Sequence, residues 1–285
     1  MQKIWVCGAR GQIGQAVNDV VDKLEFEMLD TDVDDLDVTD TDEVLRFGEM
    51  NRPDIIINCS GMTDISSCEE NPSQAFKVNA LGARNLAIVA AKMQAKMVQL
   101  STDDVFDGKS TEPYTEFDIT NPGTVYGKSK LAGENYVKEF TTKHFIVRST
   151  WVYGKGQNFI NGFLKKVDAG EQLSIASDQF GSPTSANELA RFLLHLVHTS
   201  DYGTYHATNK GVCSRYAFAQ EILKMTGKTA SMQPVPTVMS DFSKVRPAYA
   251  VLDNFIMSMV PIYDFPDWQD SLREYLEERG LYHAE

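Results

Sequence analysis

The chain has 285 residues, 42% of them hydrophobic, and a formal net charge of −13. That length supports a full core in one large domain or two closely joined ones, while the acidic balance excludes nucleic acid as a partner, since such binding needs a basic face. No run reaches the roughly 18 apolar residues of a membrane span.

The N-terminus, MQKIWVCGARG, lacks a basic and apolar leader, and Cys7, Cys59, Cys68 and Cys213 have no CxxC spacing. The sequence therefore predicts a soluble, cytoplasmic chain with reduced thiols and no membrane partner.

Residues 3–7 (KIWVC) read as a strand, followed by a helix over 12–24 with Ile13, Ala16, Val17, Val20, Val21 and Leu24 on one face. FEMLD (26–30) reads as a second strand, and a helix follows around 41–50. Ile55, Ile56 and Ile57 form a run without polar alternation, as a strand covered on both faces requires. The periodicity then gives a long helix over 73–95, a strand over 96–101, a helix over 126–140 and a strand over 144–148.

Further helices are predicted over 158–169, 186–198, 215–226 and 268–279. The early alternation specifies an α/β fold with a doubly wound parallel (Rossmann) sheet. We expect a dinucleotide-binding domain over 1–155 and a smaller, closely packed substrate-binding part over 156–285, with room for the chain to recross and extend the first.

The first strand runs into Gly8-Ala9-Arg10-Gly11-Gln12-Ile13-Gly14, a GxxGxxG spacing that opens a helix. Gly8, Gly11 and Gly14 suit a tight turn, close approach of backbone amides to a pyrophosphate, and helix–strand packing. The second strand ends at Asp30, whose carboxylate can accept from an adenosine ribose. No Lys or Arg lies between Lys23 and Arg46, while acids crowd residues 30–43, which favours NADH over NADPH. Arg10, inside the loop, is the group that could instead meet a 2′-phosphate.

YGKSK (126–130) places Tyr126 and Lys130 on one helical face. A phenol titrates near 10 in isolation, and a neighbouring ammonium favours its ionised form, so the pair can act as a proton shuttle. The lysine can also hold a nicotinamide ribose. STDDVFDG (101–108) follows the strand before that helix, so Thr102 is placed at the same carboxyl-end crevice, where its hydroxyl can stabilise a developing alkoxide. Ser101 is the competing assignment. The five histidines form no metal-ligand pattern beyond His195-x-x-His198, which reads as packing, and no metal is called for.

GARGQIG, STDDVFDG, NPGTVYGKSKLAGE, RSTWVYG, DQFGSPT and RPAYAVLD, in this order, resemble the dTDP-4-dehydrorhamnose reductase family of extended short-chain dehydrogenases/reductases. The resemblance implies reduction of a 4-keto-6-deoxy nucleotide sugar by NADH or NADPH, giving dTDP-L-rhamnose for polysaccharide. It makes Thr102, Tyr126 and Lys130 the catalytic set. Gly11, Gln12, Ile13, Asp30, Asp37, Val38, Gly61, Met62 and Thr63 would line the cofactor.

Asp103 and Trp151 would contact the nucleotide sugar, the indole face suiting a deoxysugar ring. Arg246 would hold the diphosphate with its planar fork, and Asn158 and Gln179 are further substrate candidates. The family's aromatic residue after Thr-Asp is replaced by Asp104, as in the Thr-Asp-Glu of nucleotide-sugar 4,6-dehydratases. Strand alternation would point Asp103 and Asp104 to opposite sides, with Asp103 towards the sugar. TDISSCE (63–69) has Ser66 where the family has an acid.

The same motifs admit two other functions, a dehydratase or epimerase that holds its NAD tightly, and a non-catalytic subunit resembling the regulatory subunit of methionine adenosyltransferase. A monomer or homodimer is expected.

Overall fold

The computed structural model describes residues 1–237 and 248–283. Its central sheet joins β1 (Gln2–Cys7), β2 (Phe26–Thr31), β3 (Ile55–Asn58), β4 (Lys96–Thr102), β5 (His144–Ser149) and β10 (Gly203–His206). Their spatial order is β10-β5-β4-β3-β1-β2, and every pair is parallel. One edge strand thus comes from well beyond residue 155.

The side chains sort by parity. Ile4, Val6, Ile55, Ile57, Val98 and Leu100 face helices α1 (Gln12–Val20) and α8 (Ala186–His198), where Val17 and Leu189 complete a buried layer. Trp5, Ile56, Met97 and Ile146 face the opposite layer of α2 (Thr41–Asn51), α5 (Ala83–Met93) and α6 (Val125–Phe140). The unbroken isoleucine run is therefore covered on both faces, as a parallel sheet demands.

Two predicted helices differ from the structure. The first stops at Val20, and Leu24 lies exposed in the turn to β2. The helix predicted over 73–95 is present without interruption from Pro72 to Met93, but its winding changes: after α3 (Ile65–Glu70), α4 (Pro72–Phe76) leads into a π-helical turn, Lys77–Gly82, before α5 begins. Such a widened turn is a frequent mark of a functional region.

Beyond the sheet a second core gathers Tyr153, Phe163, Phe218, Trp268 and Leu276 around α7 (Phe159–Asp168), α9 (Arg215–Thr226) and α11 (Trp268–Glu278). Three short pairs tie it together: β6 (Val152–Tyr153) with β9 (Thr184–Ser185), β7 (Leu173–Ala176) with β12 (Met232–Val235), and β8 (Phe180–Gly181) with β11 (Cys213–Ser214). Helix α10 (Phe255–Met259) packs against the first core through Met257. The four cysteines are unpaired. No helix among the described residues is long and apolar enough to cross a membrane.

Candidate active site

The loops at the carboxyl ends of the strands enclose two clefts that share Gly11, Cys59, Ser60 and Gly61. In a doubly wound sheet this edge is where ligands bind, at the point where strand order reverses. Here that point lies between β1 and β3, and Gly8 makes it possible. Gly8 has φ +76°, and a Cβ on it would stand 2.8 Å from Ser60 N. A Cβ on Gly14 would stand 2.4 Å from Gly8 O, so Gly14 packs α1 onto the turn and does not line either cleft.

The first cleft, about 530 Å³, is lined by Gly8, Arg10, Gly11, Thr31, Asp32, Asp37, Val38, Gly61 and Met62 among others. Glycines and backbone amides at one end, with carboxylates at the other, fit a dinucleotide whose pyrophosphate meets the loop and whose ribose meets the acids. The carboxylate at the end of β2 is Asp32 and not Asp30. The strand continues through Thr31, paired with Cys7, and Asp30 is exposed outside the lining. Asp32 accepts from Arg10 N at 2.9 Å, while the Arg10 guanidinium is paired with Asp34 and Asp35 at 2.7 and 2.9 Å.

The second cleft, about 440 Å³, brings together Gln12, Ile13, Thr63, Thr102, Asp103, Asp104, Tyr126, Lys130 and Trp151. Thr102 ends β4 and accepts from Asp104 N at 3.2 Å, which turns residues 103–105 into a 3₁₀ turn. Strand alternation therefore does not apply at Asp103 and Asp104, and both line the cleft. Thr102 Oγ1 donates to Asp103 Oδ1 at 3.0 Å. Gly127 lets α6 approach that turn, because a Cβ there would lie 2.0 Å from Asp104 O. The glycine inside YGKSK thus brings the start of α6 to the turn, and Tyr126 lines the same cleft as Thr102. Ser101 is committed elsewhere: its hydroxyl donates to Glu134 Oε1 at 2.6 Å.

A sequence profile described as the RmlD substrate binding domain matches residues 1–280. The chain belongs to this family. It is 35% identical to the spore coat polysaccharide biosynthesis protein SpsK of Bacillus subtilis, over 98% of this chain and 99% of that protein. A dTDP-4-dehydrorhamnose reductase from Clostridium acetobutylicum superimposes with a TM-score of 0.96 at 40% identity, covering 98% of this chain and all of the other. The Bacillus anthracis dTDP-4-dehydrorhamnose reductase, in complex with NADP, superimposes with a TM-score of 0.95 at 35% identity and the same coverage.

Within this RmlD-family chain, the residues beneath the site had no motif to announce them. Asn79, buried in the π-helical turn, accepts from Met62 N at 2.8 Å and donates to Met62 O and to Ser129 Oγ, each at 2.9 Å. Ser129 in turn donates to Tyr126 O at 2.8 Å. One amide side chain therefore links the Gly61–Thr63 loop to the tyrosine helix, and a lone Asn amid the apolar KVNALG is its only sequence signal. Glu69, from the TDISSCE segment, accepts from Val125 N at 2.8 Å and steadies the start of α6.

Glu134, one turn beyond Lys130, is fully buried and takes a bidentate pair from Arg148 at 2.9 and 2.7 Å. Burial raises its pKa, but the Arg148 hydrogen bonds and charge, with Ser101 and Lys138, bring it below the ordinary value. Lys130 is buried too. Desolvation pushes it down to about 8, opposed by the charge of Glu134 and by Cys59.

Trp151 lines the cleft with φ +47°, a left-handed backbone that costs on the order of 1–3 kcal/mol for a bulky residue. Its ring is covered by Arg215, whose guanidinium carbon lies 3.6 Å from the ring centroid, a position the sequence reading did not single out. Asn158 and Gln179 are not part of the lining. Asn158 caps α7 by accepting from Asn161 N and donates to Gly154 O and Tyr275 Oη, a structural role. Gln179 contributes its backbone carbonyl, which accepts from Arg215 N at 3.1 Å. Arg246 lies outside the described residues.

Proposed function

We propose that the joined clefts reduce the 4-keto group of a nucleotide 6-deoxysugar, taking dTDP-4-dehydro-L-rhamnose to dTDP-L-rhamnose for polysaccharide synthesis. The observation that carries this reading is the meeting of Thr102, Tyr126 and Lys130 in one crevice that opens into the glycine-loop cleft. NADH or NADPH bound along the glycine loop supplies the hydride.

The protein's part is to hold the carbonyl and move one proton. The carbonyl oxygen sits where Thr102 Oγ1 and the Tyr126 phenol can both reach it, and as negative charge grows on that oxygen the phenol gives up its proton. Lys130, on the same helical face, stabilises the phenolate left behind, and Glu134 beneath it opposes the loss of the ammonium charge. Solvent then restores the phenol. The Gly11, Gln12 and Ile13 amides take the pyrophosphate, while Asp32, Asp37 and Val38 enclose the adenosine. Asp103 faces a sugar hydroxyl. The chain works in the cytoplasm as a monomer or homodimer.

Purified protein supplied with dTDP-4-keto-6-deoxy-L-mannose is expected to consume reduced nicotinamide mole for mole, followed by its absorbance band. No consumption with either cofactor, in protein that binds both, would exclude the reductase.

A further inference from the structure

We propose that Arg215 holds the diphosphate of the nucleotide-sugar substrate, with Trp151 as the plate that orients its guanidinium. The inference rests on the reductase reading above and adds a residue to it. Arg215 is the first residue of α9, and its backbone is fixed by the Gln179 carbonyl. The guanidinium carbon stands 3.6 Å from the Trp151 centroid and 5.3 Å from that of Phe159.

The indole itself is held firmly. Its backbone is left-handed, and Gly181 packs so close that a Cβ there would come within 2.6 Å of the ring. A strained backbone and a missing side chain thus place an aromatic plate, and the group on that plate is an arginine. Stacking engages the face of a guanidinium, whereas its five N–H donors lie in its plane. Stacking also reduces the freedom lost on binding, and the resulting fork suits two phosphate oxygens.

Charge and substrate shape point the same way. Among the described residues, the charged ones lining the crevice are Asp103, Asp104, Lys130 and Arg215. Lys130 is buried with Glu134 beneath it and faces the cofactor loop, its Nζ 3.7 Å from where a Cβ on Gly61 would be. Arg215 is the other described cation of the lining, and a doubly charged diphosphate entering a protein of net charge −13 calls for a cation on that wall. In a pyranose, C4 and the anomeric carbon lie at opposite ends of the ring. With C4 at Tyr126, the diphosphate must leave the catalytic residues while staying in the same crevice, and Arg215 reaches that crevice from a different part of the chain.

The test is calorimetric titration of wild type, Arg215→Ala and Arg215→Lys with dTDP, UDP, thymidine and NADH. Arg215→Ala is expected to weaken the nucleoside diphosphate by roughly 10- to 100-fold, the range for hydrogen bonds to charged groups. Thymidine and NADH should bind as in wild type, and Arg215→Lys should recover part of the loss. Unchanged diphosphate affinity in Arg215→Ala, or equal losses for diphosphate and thymidine, would overturn the assignment and leave the reductase reading intact. Wild-type protein that binds NADH but neither diphosphate would overturn both.

Discussion

The two walls of the crevice are built differently. On the sheet side, Thr102, Tyr126 and Lys130 rest on buried polar groups in which Asn79, Ser129, Ser101, Glu134 and Arg148 each have a specific partner. On the α9 side, Trp151, Arg215, Phe159 and Phe218 meet through rings and a stacked guanidinium. Directional hydrogen bonds in a dry interior fix atoms closely and fail abruptly when a partner is removed. Stacked faces hold a plane and tolerate sliding. The wall proposed for proton transfer is thus the rigid one, whereas on the wall proposed to meet a bulky, variable substrate the indole plate is fixed and the guanidinium stacked on it is the adaptable part.

The largest effect should follow from touching the chemistry itself. Tyr126→Phe is expected to lower turnover by about 10²–10⁴, the usual worth of a positioned general acid, with NADH affinity unchanged in a nucleotide titration. Next comes the polar support. Glu134→Ala leaves Arg148 buried without its counter-charge and should lose about 3–5 kcal/mol in denaturant unfolding. Phe159→Leu, a conservative change on the stacked wall, should lose under about 1.5 kcal/mol and alter KM more than kcat. If the two variants were equally destabilised, the contrast between the walls would be wrong.

The pH dependence sharpens the same contrast. His206 lies beside Arg148 in the sheet and bonds to the Tyr114 and Asp253 carbonyls through Nδ1. Burial, then the charge of Arg148, pushes its pKa down to about 3 from an ordinary 6.5. Between those values the unfolded chain binds a proton that the folded chain does not, so stability falls as pH drops from 6.5 towards 3. His206→Gln should remove that share of the acid sensitivity, read as a flatter difference curve against wild type across this window. The smallest effect concerns the exposed Arg10. Neutralising Asp34 and Asp35 together should shift the kcat/KM ratio towards NADPH by roughly two- to fivefold, as weak surface ion pairs allow.

Much of the rigid wall could be read in advance and little of the adaptable one. Gly8 and Gly11 lie close in the chain, as do Tyr126 and Lys130, so local spacing alone places the first pair on a turn and the second on one helical face. Ile55 to Ile57 announced a covered strand because burial on both faces suppresses alternation. The role of Asn79 in the π-helical turn has no local signal, since its partners Met62 and Ser129 are 17 and 50 residues away.

Arg215 read as an ordinary helix residue because its plate, Trp151, is distant in sequence. The shift from Asp30 to Asp32 reflects a strand end set by pairing with β1, which composition does not encode. That Asn158 lies outside the cleft lining has a similar reason: capping α7 and bonding Tyr275 are matters of tertiary placement.

The most direct test of the central claim is to supply NADH deuterated at the transferable position together with dTDP-4-keto-6-deoxy-L-mannose, and to locate the label in the product by mass spectrometry and NMR. One deuterium at the sugar C4 is expected for each NAD formed. Product without label, or turnover without net NAD, would contradict it and indicate a tightly held cofactor recycled within the crevice.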